Sequence, residues 1–326
     1  RFLAMDNEPE RWGFTHYDVH PNCTTYDEVL KQYQDYASAA HRAAPQAELV
    51  GPVTSGWYYY WNSAAGEDDK KLHGNKDFIP WFLEQVRQND QKQGWRSLHV
   101  LDLHYYPEEV YNEDVDEDTA ALRLRSTRLL WDKDYVGESG TGEPVYLIPR
   151  MKALIEAYYP GTELGLSEWN WGADETMNGA LAIADVLGIF GRENLYYAAY
   201  GKYPPLGSPG FYAFKMYTNF DDLGARFGDT SVSAISEDVD TLSSYAALDS
   251  ATGNLHVMVV NKLVDESTEA KIELRSFSPD QAVSMYRLDA THPEEIVESS
   301  LNVAGEDFSV NLPPYSITLL VLQPEP

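Results

Sequence analysis

The sequence predicts an α/β domain of (β/α) barrel type over residues 1–228, followed by an all-β sandwich over residues 229–326. Three observations carry this reading. Residues 1–220 alternate short apolar runs with amphipathic stretches, the texture of parallel strands joined by crossover helices. Two of these runs end on glutamates, where a barrel presents its catalytic face. After Gly228 helical spacing disappears, and short strands separated by turn residues take over.

The first run, Phe2 to Met5, stops at Asp6-Asn7-Glu8-Pro9, and proline ends a strand there. Thr25 and Glu28 form a capping box, and Val29, Leu30, Tyr33, Ala37 and Ala40 give the following helix one apolar face. A second run, Glu48 to Val53, leads into an aromatic loop from Trp57 to Trp61. A helix is expected over about 78–91, with Pro80 tolerable in its first turn. The third strand spans Leu98 to Tyr106, and an acidic loop at 108–118 precedes helical sequence over 120–131. A helix over about 145–159 closes at Pro160-Gly161, and the fourth strand, Thr162 to Ser167, ends at Glu168. A small-residue helix over 178–190, a fifth strand over 195–200 and a helix over 211–219 complete the pattern.

Five strand–helix units are readable, whereas a closed barrel holds eight. An open, doubly wound sheet is the alternative, although no glycine-rich phosphate loop follows any strand. In the C-terminal part, strands are expected over 255–261, 270–274, 282–288, 308–312 and 316–322, with clear alternation in Lys271-Ile272-Glu273-Leu274.

Composition narrows the partners. The 326 residues are 43% hydrophobic, enough for a substantial core. A net charge of −28 repels nucleic acid and anionic membranes but leaves a neutral polymer indifferent. No apolar run reaches membrane-spanning length. The single cysteine, Cys23, excludes an intrachain disulfide. The chain opens with Arg1, which fits a mature product or a piece of a longer protein. Aromatics make up 13%, and either a large core or a cleft of rings that stack on sugars explains them.

The candidate chemistry rests on two glutamates. Glu8 and Glu168 each stand at the end of a strand in the same alternating domain. A protonated and an ionised carboxyl on facing strands suit the cleavage of a glycosidic bond. The plainer reading of each alone is a charged residue at a strand exit. His104 and Tyr106 lie two apart and point to one face, where Tyr106 would donate to the nucleophile and His104 would line a sugar site. A core histidine with a rim tyrosine is the alternative. Asp114, Asp116 and Asp118 mimic half a calcium loop, but the glycine is missing and Arg125 stands where a glutamate is needed, so a solvated acidic loop is expected. No zinc-ligand pattern and no serine-nucleophile elbow occurs.

Met5-Asp6-Asn7-Glu8-Pro9, Trp12, Thr15-His16 and His20-Pro21 resemble the acid/base region of glycoside hydrolase family 44. The likeness continues in Tyr26-Asp27-Glu28, Gly51-Pro52-Val53, Leu101 to Pro107, Gly179 to Phe190 and Arg226 to Asp229. The family comprises endo-β-1,4-glucanases and xyloglucanases. The resemblance implies a TIM-like barrel with a β-sandwich and a retaining double displacement. It makes Glu8 the acid/base at the end of barrel strand four and Glu168 the nucleophile at the end of strand seven. Strands four to eight would then lie in this chain, and a missing N-terminal segment of the same protein would supply the first three.

The expected function is therefore a retaining endo-β-1,4-glycanase acting on a β-1,4-linked polysaccharide, secreted from the cell. Asn7 is placed to bind the sugar 2-hydroxyl. Trp57, Tyr59, Trp61, Trp169 and Trp171 are candidates for stacking on glucose rings. No cofactor is required on this reading, and no ligand set for a structural calcium or another metal is assignable. Two rivals stay open: a non-catalytic glycan-binding fragment, and an exo-acting arabinofuranosidase or xylosidase of a related barrel-plus-sandwich family.

Overall fold

A computed structural model describes residues 1–138 and 141–325. In chain order the strands and helices begin with β1 (Phe2–Ala4), α1 (Trp12–Thr15), α2 (Tyr26–Ala43), β2 (Glu48–Thr54), α3 (Trp57–Trp61), α4 (Glu67–Leu72) and α5 (Phe78–Gln93). They continue with β3 (Val100–Tyr105), α6 (Glu117–Arg125), α7 (Leu147–Tyr158), β4 (Glu163–Trp169), α8 (Met177–Arg192), β5 (Tyr197–Tyr200) and α9 (Pro209–Thr218). The rest is β: β6 (Thr230–Val232), β7 (Leu242–Leu248), β8 (Leu255–Asn261), β9 (Thr268–Glu273), β10 (Pro279–Asp289), β11 (His292–Asn302), β12 (Asp307–Leu312) and β13 (Ser316–Pro324). No described helix is long and apolar enough to cross a membrane.

The chain divides into two compact units. The first holds residues 1–106, 146–170 and 195–201. Its centre is a parallel sheet of order β1-β2-β3-β4-β5. Because spatial order equals chain order, every crossover steps the same way along the sheet. Right-handed crossovers then put their helices on one face, and α2 packs on α5, and α5 on α7. A doubly wound sheet reverses direction at a switch point, so that alternative is excluded. In a flat sheet β1 and β5 would stand about 19 Å apart. Instead the Phe2 ring lies 4.8 Å from that of Tyr197, and the Tyr196 hydroxyl reaches the Glu48 carboxylate. The sheet is therefore curled. Among the described residues β1 pairs with β2 alone and β5 with β4 alone.

Local chemistry explains the helices. The Thr25 side chain accepts from the Glu28 backbone N–H and caps α2, which buries Tyr26, Val29, Tyr33 and Ala37. Gly94, in the left-handed region, ends α5. The expected aromatic loop at 57–61 is instead the helix α3, whose Tyr60 is fully buried.

The second unit holds residues 107–145, 171–194 and 202–326. Six antiparallel strands in the order β11-β10-β13-β8-β7-β6 and the pair β12-β9 share one apolar core. Val257, Val259, Val283, Leu320 and Leu322 come from the larger sheet, and Ala270, Val310 and Leu312 from the smaller. α8 packs on α6, α9, β7 and β8 and carries a buried acid, Asp185. Lys262 donates to it at 2.9 Å, and both side chains are 2% exposed. Burial opposes ionisation of Asp185, but Lys262 and the hydroxyls of Ser243, Thr127 and Tyr245 outweigh it and hold the carboxyl below its ordinary range.

Lys262→Met should leave that carboxylate buried and unpaired, a loss of about 3–5 kcal/mol. Denaturant unfolding at neutral pH checks this. Because the folded-state value is depressed, the stabilisation is full at neutral pH and disappears as pH falls through that depressed value, so the gap between variant and parent should close in strong acid.

Candidate active site

Two β-bulges aim the two carboxylates, and Glu8, His104, Tyr106 and Glu168 all lie in the first unit. In β2, Pro52 pairs with Asp102 and Thr54 with Leu103, so Val53 is an extra residue. It sits at φ 64°, a strained conformation for a β-branched side chain. Its carbonyl accepts the Glu8 N–H at 3.1 Å. Glu8 itself has φ 42°, and Pro9 starts a short 3-10 turn, Pro9–Arg11, immediately after it. In β4, Leu166 pairs with Leu103 and Glu168 with His104, so Ser167 is extra. The Ser167 N–H is given to Asp102 Oδ1 at 2.9 Å instead of to a ladder carbonyl. The bulge turns Glu168 toward Glu8.

Between them stands His104, fully buried. Its Nδ1 lies 3.0 Å from Glu8 Oε1 and 3.4 Å from Glu168 Oε2. One oxygen of each carboxylate and a nitrogen of the ring all fall within 4.8 Å of one another. The Tyr106 hydroxyl donates to Glu168 Oε2 at 2.7 Å. Arg11 reaches Glu8 Oε2 at 3.5 Å from an exposed position. The far side of the ring, Nε2, is 3.1 Å from Ser167 Oγ. From behind, the Tyr60 hydroxyl donates to the His104 carbonyl.

Asp102, 1% exposed, is the anchor of this network. It takes side-chain hydrogen bonds from Ser167 and Tyr197 as well as the Ser167 N–H. Burial pushes its carboxyl up, and these bonds pull against that. Burial and the charge of Asp102 push the Tyr197 phenol far upward, so it stays a donor. The glycine at 165 makes room, because a Cβ there would stand 2.7 Å from the Tyr197 ring.

The structure brings together Glu8, Glu168, His104 and Tyr106. Asn7 is exposed beside Glu8, and its carbonyl accepts from the Trp12 indole at 3.2 Å. Trp57, Tyr59 and Trp61 sit half-buried on α3, with the Arg150 guanidinium over the rings of Trp57 and Trp61. Three expectations need correction. His104 does not line a sugar site, because it has no exposed surface and touches the carboxylates instead. Trp169 and Trp171 are 1% and 0% exposed and offer no face for stacking. Trp169 packs against Tyr200, and the Trp171 indole donates to Ser126 within the second unit. In the acidic loop, Asp116 caps α6 by accepting from the Thr119 N–H.

The family model for glycoside hydrolase family 44 matches residues 1–109. A bifunctional glucanase-xylanase from a metagenome library is 39% identical, with a TM-score of 0.95 over 99% of this chain and 64% of its own. A family 44 xyloglucanase of Paenibacillus polymyxa, solved with xyloglucan, is 30% identical, with a TM-score of 0.92 over 100% of this chain and 66% of its own. The chain belongs to glycoside hydrolase family 44. The curated endoglucanase A of Paenibacillus lautus is 32% identical over 98% of this chain, which spans 48% of that relative's length.

Two residues after Glu8 stands a second acid, Glu10. It is 3% exposed; the Ser55 N–H donates to its Oε1, and Oε2 has no partner among the described residues. Burial raises its carboxyl above the ordinary 4.5, the bonds from Ser55 pull against this, and the charge of Glu8 adds to the rise. A raised folded-state value means stability that is full below the unfolded value and lost as pH rises through the folded one. Glu10→Gln, an isostere of the neutral acid, should remove that slope. Melting temperatures from pH 4 to 8 should fall relatively more for the parent than for the variant; parallel curves would show that Glu10 carries no such linkage.

Proposed function

We propose that this chain carries the catalytic carboxylate pair of a retaining endo-β-1,4-glycanase acting on cellulose-type glucans or xyloglucan. The observation that carries the reading is the approach of Glu8 and Glu168, one oxygen of each within 4.8 Å. Retaining glycosidases set their carboxyl groups about 5–5.5 Å apart, whereas inverting ones leave room for a water at about 6.5–9.5 Å. The names of the similar proteins, a glucanase-xylanase, a xyloglucanase and an endoglucanase, support the polysaccharide class.

In the first step Glu168 attacks the anomeric carbon while Glu8 protonates the departing oxygen, forming a glycosyl-enzyme. Tyr106 holds Oε2 of Glu168, which leaves Oε1 for attack. In the second step Glu8 removes a proton from water, and the water oxygen displaces Glu168. Asn7, exposed next to Glu8, binds the sugar 2-hydroxyl, and the half-buried rings of Trp57, Tyr59 and Trp61 stack on neighbouring glucose units. The curled sheet is read as strands four to eight of a TIM-like barrel, and the two antiparallel sheets as its companion β-sandwich. No cofactor enters this mechanism. Secretion suits an enzyme whose polymeric substrate lies outside the cell.

Glu168→Gln should lower turnover of carboxymethylcellulose and xyloglucan by at least about a thousandfold while leaving the melting temperature near the parent's. Glu8→Gln should slow cleavage of substrates with poor leaving groups by about 10²–10⁴-fold and spare formation of the glycosyl-enzyme from activated aryl glycosides. Parental rates in both variants would overturn the assignment.

A further inference from the structure

One carboxylate oxygen of Glu8, one of Glu168 and a nitrogen of His104 all lie within 4.8 Å of one another. The imidazole Nδ1 stands 3.0 Å from Glu8 Oε1 and 3.4 Å from Glu168 Oε2. Zinc binds histidine nitrogen and carboxylate oxygen at about 2.0–2.2 Å in a tetrahedron, which sets neighbouring ligand atoms roughly 3.3–3.5 Å apart. Two sides of this triangle are therefore already close to the zinc spacing. Rotation of the two carboxylates closes the third side, and the ring need not move.

The surroundings suit a cation as well. Metal-bound histidines almost always engage their second ring nitrogen in a hydrogen bond, which fixes the ring. His104 Nε2 faces Ser167 Oγ at 3.1 Å, the side chain is fully buried, and the Tyr60 hydroxyl holds the backbone carbonyl. Charge is unbalanced on the other side. Among the described residues the one permanently charged partner of the pair is Arg11, which is 51% exposed and 3.5 Å from Glu8 Oε2. A dication would balance both carboxylates. The Glu168 side chain is 32% exposed, so the trio opens toward solvent and leaves a fourth position for water.

We propose that Glu8, His104 and Glu168 form a site for a borderline divalent transition-metal ion, with zinc as the type, and that filling it reversibly inhibits the enzyme. The inhibition rests on the glycanase reading above; the binding does not. The imidazole decides the class of ion. Calcium takes six to eight oxygen ligands and magnesium keeps its own water, whereas zinc and its neighbours accept a nitrogen and a small ligand set. A cation here occupies the lone pair with which Glu8 would hold the acid proton, draws electron density from Glu168, and fills the space where the glycosidic bond must sit. Binding is coordination alone, so removal of the ion restores both carboxylates.

Titration calorimetry of the full chain with zinc chloride, after dialysis against a chelator and in salt that screens the acidic surface, should show one ion per chain. Losing a ligand should cost more than the about 10–100-fold typical of losing a group that merely orients one, so Glu8→Gln and Glu168→Gln should each weaken zinc by at least about a hundredfold. Cys23→Ser and His292→Gln remove an exposed thiol and an exposed imidazole and should leave the affinity unchanged. Cobalt(II) supplies a readout independent of turnover: an intense visible band marks four-coordination in the parent and should vanish in Glu168→Gln. With xyloglucan as substrate, zinc should raise the apparent KM, leave kcat unchanged, and lose its effect when the chelator returns. Affinity that survives both glutamine variants, or calcium binding the site as tightly as zinc, overturns the proposal, and so does inhibition that leaves KM unchanged. Zinc binding that follows Glu8 and Glu168 in a chain inactive on every glycan would sink the glycanase reading and leave the metal site standing.

Discussion

The site depends on one buried imidazole. Two carboxylates with oxygens within 4.8 Å of each other repel by roughly 3–4 kcal/mol at an effective dielectric of about 20. His104 stands against both, its Nδ1 3.0 Å from a Glu8 oxygen and 3.4 Å from a Glu168 oxygen. The ring is in turn pinned at Nε2 by Ser167 and at its carbonyl by Tyr60. A group with no exposed surface thus stands in contact with both carboxylates.

Register irregularities supply the aim. A regular strand would send Ser167 and Glu168 to opposite faces in strict alternation. The extra residue in β4 breaks the alternation just at the carboxylate, and the backbone N–H freed by the bulge is caught by Asp102. The extra residue in β2 works the same way for Glu8: Val53 takes a strained conformation, and its carbonyl leaves the ladder to hold the Glu8 N–H. Such strain persists only where surrounding contacts over-determine it. Here the neighbours Leu49, Val50, Leu101 and Leu103 are all buried, so the sheet that carries the bulges is well packed.

How much of this could be read from the residues follows from which forces are local. The Thr25–Glu28 cap of α2 is local and was legible; the two strands were legible too, although β1 ends at Ala4, before Glu8, and β4 runs one residue past Glu168. The strand runs over 255–261, 308–312 and 316–322 were legible too, since alternation and turn residues are short-range signals. Other elements were not. β11 is mostly exposed and polar, so no apolar alternation marks it. α3 looked like a loop because five bulky aromatic residues carry weak helix propensity, and the burial of Tyr60 overrides it. Trp169 and Trp171 follow Glu168 so closely that they passed for sugar platforms, yet a tryptophan next to a strand end can equally turn inward. Asp102 left one usable trace: an acid between Leu101 and Leu103 in a wholly buried strand must have partners. The identity of those partners, Ser167 and Tyr197, depends on strand pairing and was out of reach.

The two units answer the same physical problem differently. In the second, Asp185 is ionised against Lys262 and three hydroxyls, a closed arrangement in which donors and acceptor match and no proton needs to move. In the first, burial pushes the Asp102 carboxyl up, and the hydrogen bonds that pull against it come from the neutral side chains of Ser167 and Tyr197. A buried acid with its own cation is a structural fixture, because the field ends at the ion pair. A buried acid without one projects its field along the hydrogen bonds it accepts. That difference, more than burial itself, separates a carboxylate that holds a fold from one that tunes a site. Asp102 lies on β3, the strand that carries His104 and stands between the strands bearing the two bulges.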